Sequence, residues 1–153
     1  MGVDEPGDLL NLRRSLLRAA AQAPLTRKID DLEDEEWVSR RVYVNEQGKL
    51  VDHDRPRPDK DHGGLSAFRG RLSPAEVARK VVGRWYPPTS DDGVRYARVG
   101  DLRQAGFTVV LAPTRKSPDH VRITFWTEWG DEAAALFQRC FTEPVWHDDP
   151  RRA

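Results

Sequence analysis

Two runs late in the chain, FTVVLAP at 107–113 and HVRITFW at 120–126, alternate apolar residues with others, and only the Pro-bounded loop TRKSPD separates them. Alternation at period two puts one row of side chains on each side of a strand. Two strands joined this closely pair as an antiparallel hairpin, because a parallel partner needs a crossover of a dozen residues or more. The rest of the chain must then build on a sheet that is antiparallel or mixed.

Three further segments supply strands. WVSRRVYVNEQGKLVDH, 37–53, reads as a second hairpin: Val42 and Val44 alternate with Arg41 and Tyr43, Glu46-Gln47-Gly48-Lys49 turns, and Leu50-Val51 begins the return. Gly48 supplies the positive φ that such a turn needs. LSAFRGR, 65–71, turns Leu65, Ala67 and Arg69 one way and Ser66 and Phe68 the other. GVRYARV, 93–99, alternates as well.

Helices are signalled by caps and by helical spacing. Ser73-Pro74-Ala75-Glu76 is a capping box with Pro at the first helical position. It opens a helix over 74–86 that carries Val77, Val81 and Trp85 on one stripe and stops at Pro87-Pro88. GDLRQAG, 100–106, makes a short helix with Asp101 to cap it and Gly106 to close it, and GDEAAALFQRCF, 130–141, makes the last one. Near the start, Leu9, Leu12, Leu16 and Ala20 form an apolar stripe over 8–22, with Asp8 to cap it and Pro24 beyond.

The expected strands lie near 41–51, 65–69, 94–98, 107–112 and 120–126, and the main helices near 8–22, 74–86 and 131–141. The expectation is a single α+β domain, with an antiparallel or mixed sheet of about five short strands and about three helices packed on one face. Residues 1–36 read as a helix plus an acidic connecting segment, 37–141 as the domain, and 142–153 as a flexible tail.

Composition narrows the function classes. Lys+Arg is 25 and Asp+Glu is 25, so the formal net charge is zero and a whole-protein positive field for nucleic acid is missing. Arg13, Arg14 and Arg18 form a local basic cluster through which nucleic acid would bind. Cys140 is the single cysteine, so no intramolecular disulfide forms, which suits a reducing, cytoplasmic compartment. The start, MGVDEPGDLL, lacks a signal-peptide pattern, and no apolar run approaches the ~18 residues of a membrane span. Eleven prolines and a preference for Arg over Lys fit a GC-rich bacterial coding bias.

Chemistry has few places to sit. The four histidines are His53, His62, His120 and His147. Asp52, His53, Asp54, Asp59, Asp61 and His62 crowd one loop, but no rigid spacing orders them as metal ligands, and no metal is expected. His62 and His120 each follow an Asp and precede a strand. If those strands are neighbours, both imidazoles and Arg69 share one end of the sheet, with His as acid/base and Arg holding an anion. That arrangement fits a small hydrolase or transferase acting on a phosphate-bearing substrate. No nucleophilic motif supports it: Ser66 is not in a GxSxG elbow, and Cys140 reads as a small buried residue. No phosphate loop or GxGxxG occurs, so no cofactor is expected.

Five tryptophans are many for 153 residues. Trp126 and Trp129, in TFWTEWGDE, sit among polar residues at the end of the clearest strand and mark a candidate partner surface. Leu9 and Leu16 on the first helix are the second candidate contact.

The run LSAFRG…SPAEVA…VGDLRQAGFTVVLAP…SPDHVRI resembles small uncharacterised bacterial α+β domains with an LSx[YF]R strand, a PxExA helix and a PxHxxI strand. The resemblance covers residues 62–126 and implies the fold alone. It singles out Arg69 and His120 as the first positions to inspect. The functional expectation is a small cytoplasmic bacterial accessory protein that binds a protein partner, or self-associates, without catalysing a reaction.

Overall fold

The computed structural model describes residues 31–57 and 64–148, and its larger compact unit begins at Leu32. The expected helix over 8–22, with Leu9 and Leu16, and the loop residue His62 lie outside the described residues.

Among the described residues, seven strands form one sheet in which every pairing is antiparallel. They are β1 (Trp37–Val44), β2 (Leu50–Val51), β3 (Leu65–Arg69), β4 (Asp92–Arg98), β5 (Phe107–Leu111), β6 (His120–Phe125) and β7 (Val145–Trp146). The order is β5-β6-β3-β1-β4-β7, and β2 pairs with β1 off this path. Three helices accompany them: α1 (Pro74–Val82), α2 (Val99–Gln104) and α3 (Asp131–Arg139). The α+β class is as the sequence indicates, with more strands than expected. No described helix is long and apolar enough to cross a membrane.

Local chemistry accounts for the elements. Ser73 Oγ accepts from the Glu76 amide and Glu76 reaches back to Ser73 N, so the capping box is complete. Gly48 takes φ 74 in the β1–β2 turn. The β5–β6 hairpin runs in register from Phe107↔Phe125 to Leu111↔Val121.

The helices occupy both faces rather than one. Because β3 and β4 both pair antiparallel with β1, they are parallel to each other, and α1 is the crossover between them. Ser39 Oγ donates to Gly70 O and accepts from Leu72 N, and Tyr96 Oη donates to Leu72 O at 2.6 Å. These bonds fix the crossover to the face where Phe68, Val77, Val94 and Tyr96 pack together. The opposite face carries the main core: Val38, Leu65, Ala67, Ala97, Val109, Val121 and Ile123 meet Leu102 of α2 and Phe137 of α3.

Both ends of the domain extend beyond the expected 37–141. Leu32 is buried in the main core, Glu36 pairs with Arg69, and Asp34 pairs with Arg103 at 2.8 Å, so the end of the acidic segment is docked. At the other end, Thr142 N bonds Tyr96 O, and β7 pairs with β4. Gly93 makes room for that pairing: a Cβ there would stand 2.8 Å from Trp146 Cε3 and 3.0 Å from Val42 Cγ2. Gly93→Ala should therefore displace β7 at a cost on the order of 1–3 kcal/mol. A red shift in tryptophan emission, absent when Trp146 is also changed to Phe, would show it; an unshifted spectrum would mean that Trp146 does not depend on this contact.

Candidate functional site

The sheet is wider than its cover. Six strands spaced about 4.8 Å apart span roughly 24 Å, whereas one helix with its side chains is about 10 Å across. On the minor-core face, α1 packs chiefly on β4 and β1. Among the described residues, no helix packs chiefly on the strip formed by β3, β6 and β5 on that face. The register identifies its residues. Ser66 is opposite Arg122, which is opposite Val110; Thr124 is opposite Thr108; Phe68 is opposite His120. Ser66, Thr108 and Val110 are exposed, and Arg122 and Thr124 are half-buried. Trp126, in the bend just after β6, is 77% exposed, and its ring lies 5.9 Å from that of Phe125. From His120 to Thr124 the strip is about 13 Å long at the usual rise per residue.

His120 bridges all three strands. Its Nδ1 is 2.9 Å from Ala112 O, just beyond β5, and its Nε2 is 2.9 Å from Ser66 Oγ on β3. The Ala112 carbonyl can only accept, so Nδ1 carries the proton. In the neutral ring, Nε2 then accepts from the Ser66 hydroxyl. Asp119 beside it bonds Ser117 Oγ at 2.8 Å and Lys80 of α1 at 3.2 Å. Burial pushes the Asp119 carboxyl upward, but the hydrogen bonds from Ser117, Lys80 and a backbone amide, together with the Lys80 charge, hold it below its ordinary range. Lys80 also sits 5.7 Å over the Phe68 ring, so the strip meets α1 at a cationic border. Arg122 has no hydrogen-bond or ion-pair partner among the described residues.

The residues singled out in the sequence are dispersed. Arg69 follows Phe68, so its side chain leaves the face that His120 shares, and its Nε bonds Glu36 Oε1 at 2.6 Å. Arg69 and His120 are therefore not brought together, and the cation next to His120 on the open strip is Arg122. Trp129, paired with Trp126 as a candidate surface, is packed: its ring lies 5.4 Å from Phe107 and 5.7 Å from Phe137, and its Nε1 donates to Asp54 O. Trp85 leaves the α1 stripe because the helix ends at Val82, and it is 84% exposed beneath the Arg84 guanidinium.

The polar loop after β2 is anchored as far as it is described. Asp52 bonds Arg95 and lies 4.0 Å from Arg40, and Arg55 pairs with Asp131. Among the described residues no three His, Cys, Asp or Glu side chains gather to hold a metal. Cys140 is a protonated thiol: burial pushes its pKa up, Asp101 adds to that, and Sγ donates to Leu136 O at 3.3 Å.

Comparison with known proteins matches no family model, no curated protein and no solved structure. The functional reading rests on the residues of the strip.

Proposed function

We propose that this chain is a small cytoplasmic binding module of bacterial origin that takes a protein partner on the open β3–β6–β5 strip. The observation that carries the reading is Trp126, 77% exposed just past the end of β6, the strand on which Arg122 stands without a partner among the described residues. Trp and Arg dominate the energetics of protein interfaces because each combines large contact area with directed polar contacts. The occupant that fits has an apolar group for Trp126 and Val110 and a carboxylate for Arg122. Zero net charge and a single free cysteine suit a protein that meets its partner in a reducing compartment.

The test is affinity capture with the tagged full chain, followed by titration of the partner that co-purifies. Trp126→Ala should cost about 2 kcal/mol or more of binding, while unfolding changes by less than about 0.5 kcal/mol. Arg122→Glu should weaken binding further by opposing the partner's carboxylate. A partner retained equally by both variants would remove the strip from the interface.

A further inference from the structure

The open strip also holds a hydroxyl whose surroundings are chemically unusual. Ser66 is exposed on β3, and its Oγ lies 2.9 Å from His120 Nε2. The far side of the imidazole is held by the Ala112 carbonyl, also at 2.9 Å. A hydroxyl, a base within hydrogen-bond reach, and a third group that orients the base together make the arrangement that activates a nucleophile. The orienting carbonyl fixes the tautomer of the neutral ring, in which the lone pair of Nε2, not a proton, faces Ser66. Directly across the strand pair from Ser66 stands Arg122, with Cβ atoms about 5 Å apart at that pairing. Its cation is not used by any described residue.

We propose that Ser66 is a nucleophile toward carboxylic esters that carry a nearby anionic substituent, with His120 as general base and Arg122 holding the anion. In the first step Ser66 Oγ attacks the carbonyl carbon while its proton passes to His120 Nε2. The oxyanion collapses, the bond to the leaving oxygen breaks, and the leaving alcohol takes the proton from Nε2. In the second step water gives a proton to Nε2 and attacks the acyl carbon. The bond to Oγ breaks, and Oγ recovers its proton. The sum is ester plus water giving acid plus alcohol, with nothing oxidised or reduced. The inference does not rest on a protein partner, and its test uses small molecules alone.

The experiment treats the full chain with an alkyl fluorophosphonate and maps the adduct by peptide mass spectrometry. It then follows nitrophenolate release from 4-nitrophenyl acetate and from the 4-nitrophenyl monoester of succinate. The expected result is one adduct per chain, on Ser66. His120→Gln should slow its formation by about 100-fold or more. The free carboxylate of the succinate ester should raise the rate over acetate by about 10-fold, and Arg122→Gln should abolish that preference. No adduct on Ser66 in the folded chain, or labelling at an unchanged rate in His120→Gln, would overturn the proposal. Because His120 also ties β3 to the end of β5, its variant risks unfolding. Ser66→Ala, at an exposed position, covers that case: ester hydrolysis as fast as in the parent chain would equally overturn it.

Discussion

Replacing Asp92 with alanine should lower the free energy of unfolding by about 3–4 kcal/mol, one of the two largest single-residue effects expected in this fold. Asp92 is 1% exposed, and its carboxylate serves three donors. Tyr86 Oη donates at 2.8 Å, the Thr89 amide at 2.9 Å, and Arg41 Nη2 at 3.1 Å. Together they hold the loop between α1 and β4 against the sheet. Alanine would strand the Arg41 guanidinium, whose Nε already lacks a hydrogen-bond partner. Removing one member of a buried pair costs more than the pair contributes, because the other charge stays out of water. Arg41 keeps 17% of its side-chain surface, which sets the expected cost in the lower part of the range for buried pairs. Urea unfolding would read the loss as a midpoint lower by about 1 M or more, given the usual slope for a domain of this size. The mechanism has its own check. Adding Arg41→Met to Asp92→Ala should recover part of the loss, since no buried charge is then left behind. If the double variant is no more stable than Asp92→Ala, the cost comes from the Tyr86 and Thr89 contacts instead.

What could be read from the sequence was whatever is local. β3, β5 and β6 announce themselves by alternation, and α1 by a cap whose partners are three residues apart. The β1–β2 hairpin was also legible, but the first half of β1 and other features defined by their neighbours were hidden. β1 starts at Trp37, but its core-facing row is Val38, Arg40, Val42, and a charged residue in the middle breaks the apolar alternation. Arg40 is nevertheless 5% exposed, because its guanidinium lies 4.8 Å over the Phe137 ring and donates to the Ser66 and His53 carbonyls. β7 is two residues long and exists because β4 offers it an edge and Gly93 offers its tryptophan space. The acidic segment looked solvated because its partners, Arg69 and Arg103, are 33 and 69 residues away.

The site shows the same division more sharply. His120 could be picked out from SPDHVRI, and Trp126 from TFWTEW. Ser66 could not be, because its meaning comes from the β3–β6 register, which joins positions 54 residues apart. Parity decided against Arg69. Phe68, not Arg69, is opposite His120, and a single step along a strand moves a side chain to the other face. The signal that would have found Arg122 is the same alternation that defined β6: His120, Arg122 and Thr124 are its outward row.

Phe137→Ala should cost about 3–5 kcal/mol and leave the open strip working, which separates the two faces of the sheet. Phe137 is 1% exposed and sits at the centre of the main core. Its ring centroid is 4.7 Å from Phe141, 5.7 Å from Phe107 and 5.7 Å from Trp129. Alanine there would open a cavity and also take away the ring beneath Arg40, so the expected cost lies toward the upper end. Phe137→Leu keeps most of the volume and should cost less than about 1.5 kcal/mol. The strip that carries Ser66 and Arg122 looks out from the other face, where α1 rather than α3 is the neighbour. At temperatures where Phe137→Ala remains folded, fluorophosphonate labelling of Ser66 and partner affinity should match the parent chain. A loss of either in the folded variant would mean that the two faces are coupled through the sheet, and that α3 helps to shape the strip as well as to cover the core.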